Sequence, residues 1–342
     1  MPHLLLVSVA VLLAFNISLA LAVGGLRLRN TIRKRRWDRL EATWEPRLLQ
    51  LVAGEYTPES LAALVPAGEV EYVIEITSRM VQLLAGEDLR TVQAFGTLLL
   101  PQVVHGFSDR RPATRARTVH LVSLLDLPGH AGLVVASLDD SSPLVAMVAA
   151  RALARQRDED YLAEVLKRLD RFRLWSPGFL ASMLASVGPS IAPLLRRNLE
   201  DSNRSDEVRV VAAEALARLR DAAGADAAAG VLGEREPARD LAASCLRLIE
   251  KVGTAQHRSS IGRMVGSEDY VVRSRAVAAL AAVGDETDVA DLEMALRDPS
   301  PWVAIQAARA LSRLGHLETL ERVAGTATAG GAVAREVLME AA

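Results

Sequence analysis

A single cysteine, Cys245, is all the thiol chemistry in this 342-residue chain. One cysteine closes no internal disulfide and cannot build a thiolate zinc cage, and such usage fits a reducing compartment. Aromatic side chains make up only 4% of the residues, so the core must come from Ala, Leu and Val, which let helices approach closely. Histidine is also sparse. His3, His105, His120, His130, His257 and His316 include no i,i+4 pair and no metal-type motif with a carboxylate, so structural or solvated roles are expected. No Walker loop, GxGxxG fingerprint or GxSxG elbow occurs. The sequence therefore predicts no catalytic residue, no cofactor and no metal. A net charge of −2 also argues against nucleic acid as a partner.

What is present begins with an uncharged run. Leu4 to Leu26 is 23 residues without a formal charge. As a helix it would reach about 34 Å, against a hydrocarbon core of about 30 Å. Asn16 is its only strongly polar side chain, tolerable in lipid or able to pair with another helix. The basic residues Arg27, Arg29, Arg33, Lys34, Arg35, Arg36 and Arg39 follow at once, with only Asp38 against them. Basic flanks stay cytoplasmic, so the expectation is a single-pass anchor with its N-terminus outside and all later residues in the cytoplasm. The rival is a cleaved signal peptide, for which Ala20-Leu21-Ala22 has the small-x-small form. A signal peptide carries its charge before the apolar run, and here it comes after. The basic cluster serves as a topology signal, and it can also attract anionic lipid headgroups at up to about 1 kcal/mol per residue. Trp37 and Trp44 are expected near those headgroups, on a juxtamembrane helix over 27–56.

The C-terminal two-thirds of the chain repeats itself. Anchors at Val145, Ser176, Val208, Ala238, Val272 and Val303 lie 31, 32, 30, 34 and 31 residues apart. Each is followed by apolar or small residues at +4, +5, +7 and +8, one face of a helix. The +8 position is Leu153, Leu184, Leu216, Leu246, Leu280 or Leu311, and Cys245 occupies +7, where other units put Ala or Met. Gly188, Gly253, Gly284 and Gly315 sit where a helix C-cap is expected. Shorter apolar runs follow, then polar turns such as LDDSSP, RSDE, GSED and RDPSP. One hairpin cannot bury its own apolar face, so the hairpins must stack. The fold class expected is all-α, an α-solenoid preceded by one transmembrane helix.

The stretches SDEVRVVAAEALARLR, SEDYVVRSRAVAALAAVG and RDPSPWVAIQAARALSRLG resemble the short HEAT-like repeats of phycobilisome-lyase-like proteins over about residues 139–316. Upstream, 57–138 reads as irregular helices, with a helix start at Thr57-Pro-Glu-Ser, an amphipathic run from Asp88 to Val104 and a degenerate repeat in RPATRARTVHLVSLLD. The expected divisions are 1–26, 27–56, 57–138 and 139–342, with residues 333–341 as a final capping helix. The resemblance implies that turn charges, here Arg209, Arg239 and Arg273 near Asp206, Glu236 and Asp269, tie one repeat to the next. It also implies a concave face lined by the second helices. Arg168, Arg171, Arg196, Arg197, Arg258 and Arg263, with Arg297, would then point outward to a protein partner. An anchored array of this kind resembles bacterial HEAT-repeat proteins that accompany membrane glycosyltransferases, which implies a scaffold rather than an enzyme. The lyase resemblance keeps a bilin lyase as the alternative, although such lyases are soluble. Lipid binding through the basic cluster is the other.

Overall fold

The computed structural model describes the backbone of residues 2–234 and 237–341. Side chains are described from 34 to 340 within that span, together with Ser18, Leu19, Val23, Arg27, Thr31 and Ile32. Every regular element among the described residues is helical, and the chain falls into two compact units that part after Val134.

The first unit contains α1 (Pro2–Val52), α2 (Pro58–Ala62), α3 (Val70–Val81), α4 (Gly86–Leu99), α5 (Pro112–Leu125) and most of α6 (Leu127–Ala136). The basic stretch is helical as far as Val52, and the far end of that helix joins a core. Trp44, Leu48 and Leu51, at helical spacing, are buried, and α1 packs on α3 and α4, where Val73, Ile74 and Phe95 are buried too. Trp44 is therefore a core residue and not a headgroup anchor; its indole Nε1 donates to Glu69 at 2.9 Å. Thr57 opens α2 as expected. Its hydroxyl accepts from the Ser60 N–H at 3.2 Å while Ser60 Oγ accepts from the Thr57 N–H at 2.9 Å. The amphipathic run expected to reach Val104 ends at Leu99 and gives way to 3-10 turns, because Pro101 has no N–H to continue the ladder.

The second unit is built from first helices α7 (Pro143–Arg155), α9 (Pro177–Ala185), α11 (Asp206–Leu219), α13 (Arg239–Val252), α15 (Tyr270–Val283) and α17 (Pro301–Arg313). They alternate with second helices α8 (Glu159–Lys167), α10 (Ala192–Glu200), α12 (Gly224–Leu232), α14 (Arg258–Val265), α16 (Val289–Ala295) and α18 (Leu317–Ala324). The closing helix α19 (Ala329–Ala341) packs on α17 and α18. Successive first helices from α9 to α17 pack side by side, as do α10, α12 and α14 in a second row. The starts are local. Ser205 accepts from the N–H of Val208 and Asp269 from that of Val271, while Pro143, Pro177 and Pro301 occupy first-turn positions that need no donor.

The repeat register holds at its most demanding position: all six +8 leucines are at most 1% exposed. Ala149, Ala212, Ala242, Ala276 and Ala307 at +4 are buried too, which brings neighbouring backbones close. The glycine stops divide in two. Gly188 and Gly315 adopt left-handed φ of +104° and +83°, which glycine tolerates. Gly253 and Gly284 are extended instead, with φ of −66° and −77°. A Cβ there would lie 2.5 Å from the carbonyl oxygen of Ile249 or Leu280, so close approach is what selects glycine. Helix α11 ends without glycine, on Arg220 at φ 54°.

Truncating Leu216, Leu280 or Leu311 to Ala should remove about 2–5 kcal/mol in chemical denaturation. Leu174, 80% exposed, should lose no more than about 0.5 kcal/mol on the same change. Equal losses at the two kinds of site would contradict the register.

Candidate partner-binding surface

Two of the three turn arginines are clamps. The Arg209 side chain, 4% exposed, donates Nε to the Leu199 carbonyl at 2.9 Å, at the end of α10. Its Nη1 reaches Glu234 at 3.1 Å, beyond α12. Arg273 repeats the arrangement two hairpins later. Nε and Nη2 donate to the Asp298 carboxylate at 2.7 and 3.0 Å, and Nη1 to the carbonyls of Ser267 and Glu268 at 2.8 Å. Each guanidinium satisfies carbonyls left over at one turn while pairing with a carboxylate at the next. Burial pushes the Asp298 carboxyl up, but the hydrogen bonds from Arg273 and the N–H of Ser300 outweigh it and hold it below its ordinary value. Arg239 is more open and lies 3.5 Å from Asp269; Glu236, its other expected neighbour, lies outside the described residues.

The second-helix arginines expected to face outward are mostly engaged. Arg168 pairs with Asp139 at 2.9 Å and with Glu164, while Arg171 donates to the Asp139 carbonyl at 3.1 Å. Arg196 grips both oxygens of Asp221 at 2.7 and 2.8 Å, and Arg258 reaches Asp285 at 2.6 Å, Asp288 at 2.8 Å and the Thr287 hydroxyl. Asp221 and Asp285 lie in the turn of the following hairpin, so these contacts join repeats. Arg197 pairs loosely with Glu159 at 3.2 Å and stays exposed, as do Arg263 and Arg297. The chain does bring the six together in one unit, but Arg168, Arg196 and Arg258 are neutralised within the stack.

A different feature lies at the turn between α8 and α9. The segment Phe172-Arg-Leu-Trp-Ser-Pro replaces the polar turns of the other hairpins. It borders an apolar crevice of about 190 Å³ lined by Leu169, Phe172, Trp175, Pro177, Leu180, Val208 and Val211, with Asp170, Arg173 and Glu207 beside them. Trp175 stacks on Phe179 with centroids 5.3 Å apart. Its indole Nε1 is buried without an acceptor, while the neighbouring Leu174 and Phe179 side chains are exposed. The aromatic–leucine run in a turn position was the available sequence signal.

Groups with chemical potential are otherwise quiet. No cluster of three or more His, Cys, Asp or Glu able to hold a metal occurs among the described residues. Cys245 is fully buried, and burial pushes its thiol up to about 12. His257 caps a turn, its Nδ1 accepting the Thr254 N–H at 3.0 Å while Nε2 faces Asp226 at 3.1 Å. Among the described residues no single helix is long and apolar enough to cross a membrane; most side chains of the expected span 4–26 lie outside them. So do those of Arg29 and Arg33, whereas Arg27, Lys34, Arg35, Arg36 and Arg39 are exposed on α1.

Residues 232–312 and 263–341 match the family model described as HEAT repeats. No curated protein matches the chain in sequence. Among solved structures, it is similar to the karyopherin Kap121p bound to the extreme C-terminus of the protein phosphatase Cdc14p, at 11% identity and a TM-score of 0.49 over 80% of this chain and 38% of that one. Kap121p bound to RanGTP is similar at 12% identity and a TM-score of 0.44, over 90% and 42%. The chain thus spans about two-fifths of the length of these proteins. The C-terminal third carries HEAT repeats, and the hairpins before it share their register.

Replacing Asp298 with Asn should cost about 1–3 kcal/mol at neutral pH, because Arg273 loses its charged partner. The Asp298 carboxyl is held low, so its contribution is complete above the ordinary aspartate value of about 3.9 and disappears as pH falls through the lower folded value. The stability gap between parent and Asp298→Asn, measured by denaturation, should therefore close in strong acid. In the native protein Cys245 should resist thiol reagents until denaturant is added; prompt labelling would refute its placement.

Proposed function

We propose that this chain is a membrane-anchored scaffold that binds a protein partner through its HEAT-repeat unit and performs no catalysis of its own. The observation that carries the binding reading is the crevice beside Trp175. Interface hot spots concentrate on aromatic and arginine side chains set in apolar pockets, and here Trp175 lines an apolar crevice beside the exposed Leu174 and Phe179. The crevice would take one apolar side chain of the partner, with Leu174 and Phe179 covering its flank.

The anchor rests on the uncharged run Leu4–Leu26 and the basic residues behind it. On that reading the repeats lie in the cytoplasm, and the exposed Arg27, Lys34, Arg35 and Arg39 face anionic headgroups. Arg36 is partly committed, donating to the Gly68 carbonyl at 3.3 Å. A membrane glycosyltransferase is the partner class we propose, on the resemblance to anchored HEAT-repeat proteins alone. No arrangement of the described side chains favours the bilin-lyase alternative.

The test is capture of partners by the intact protein in mild detergent, followed by identification of what co-purifies. Leu174→Asp combined with Phe179→Ser should lower capture at least about tenfold, as expected for loss of a hot spot, with the melting temperature unchanged. Arg197→Glu combined with Arg263→Glu should leave capture intact; the opposite pattern would move the contact to the basic second helices. A C-terminal reporter active only outside the cytoplasm would overturn the topology.

A further inference from the structure

The first unit holds a second cavity, unrelated to the crevice and independent of the scaffold reading. It measures about 560 Å³ and is lined by Trp37 from α1, Glu71, Tyr72 and Glu75 from α3, and Arg117 from α5. That is within the range of about 300–1,000 Å³ usual for small-molecule pockets. Its walls are of two kinds. Trp37 and Tyr72 form a tilted aromatic pair, with centroids 5.6 Å apart and ring planes at 51°. Beside them Arg117 is fixed by three contacts: Nε donates to Glu75 at 2.9 Å, Nη2 to the Glu71 carbonyl at 3.0 Å, and Nη1 lies 3.7 Å from the Glu71 carboxylate.

The charge pattern selects the ligand. A guanidinium already lies over each ring, Arg36 over Tyr72 at 5.1 Å and Arg79 over Trp37 at 5.2 Å. Each guanidinium takes one face of its ring, so a ligand would stack on the opposite face, where a cation would compete for the same ring charge. Arg79 is in turn paired with Glu41 at 2.5 Å. An anion would meet the carboxylates of Glu71 and Glu75, with Arg117 already engaged by both residues. At 3.7 Å the Glu71 carboxylate is an ion-pair partner and not a hydrogen-bond acceptor for Arg117, and its side chain is 74% exposed, so its acceptor capacity is open. A rigid aromatic wall next to an open carboxylate and a fixed guanidinium suits a neutral molecule with apolar C–H faces and hydroxyls that both donate and accept. We propose that this pocket binds a neutral saccharide, with its C–H face on Trp37 and Tyr72 and its hydroxyls on Glu71 and Arg117.

The test uses the full chain in a detergent without a sugar headgroup. Glucose, galactose, N-acetylglucosamine and maltose are titrated by ligand-observed saturation-transfer NMR, with choline and inorganic phosphate as charged counter-probes. At least one saccharide should bind saturably, and neither counter-probe should. Trp37→Ala should weaken that binding by about tenfold or more through loss of the ring contact. Trp37 also braces α1 against α3, so Glu71→Gln is the second variant; its side chain is exposed, and it should weaken binding similarly without lowering the melting temperature. Absence of saturable binding by all four sugars, binding indifferent to Glu71→Gln, or saturable binding of choline or phosphate instead would each overturn the proposal. None of these outcomes bears on partner capture at Trp175.

Discussion

The second unit depends on how closely its first helices can approach one another. Alanine at +4 in every repeat but the one with Leu180, and mostly small residues at +5 and +7, leave little between neighbouring backbones, so the +8 leucine of each helix is enclosed on every side. A hairpin alone would leave that face in water, so each repeat is stable only through its neighbours, and stability is carried by interfaces. This explains why Cys245 behaves as another small apolar side chain. It fills a +7 position in the packed face, and desolvation there holds it as an unreactive thiol.

Close packing sets spacing, and the arginines set alignment. Arg209 and Arg273 each reach a carboxylate 25 residues ahead in sequence and carbonyls behind them. Arg196 and Arg258 also reach carboxylates ahead of them, from the second helices to the turn of the next hairpin. Buried or half-buried guanidinium groups need such partners to offset desolvation, and the geometry of a stack supplies them at regular intervals. A surface that looks basic in one dimension is therefore close to neutral where its arginines are clamped. The turn where the pattern fails is the aromatic segment at Trp175, which sets apolar side chains where the other hairpins have polar ones.

The first unit is organised by a helix with two tasks. The uncharged and basic stretches of α1 precede a segment that carries Trp44, Leu48 and Leu51 into a core. Trp37 lies between them and is held by Tyr72 and Arg79. If the N-terminal stretch of α1 is fixed in a bilayer, helical continuity carries that constraint to α3 and to the saccharide pocket without a flexible joint. Pro46 does not interrupt it, since α1 extends as helix to Val52.

The sequence by itself determined the repeats, their register and the buried leucines, because a 31-residue period of small and apolar residues has only one way to exclude water. It also determined the lack of catalytic motifs and the Thr57 cap, both of which are local in chain distance. Only the tertiary structure decided which arginines are free. Asp221 lies 25 residues from Arg196 and Asp285 lies 27 from Arg258, and no helical periodicity links positions that far apart. The same holds for Trp44, whose amphipathic setting fits a headgroup as well as a core until α3 and α4 are in place. The two cavities are legible only in three dimensions as well. Each gathers side chains from separate helices, and the physical property that defines it is space left unfilled, which a linear pattern of residue types does not encode.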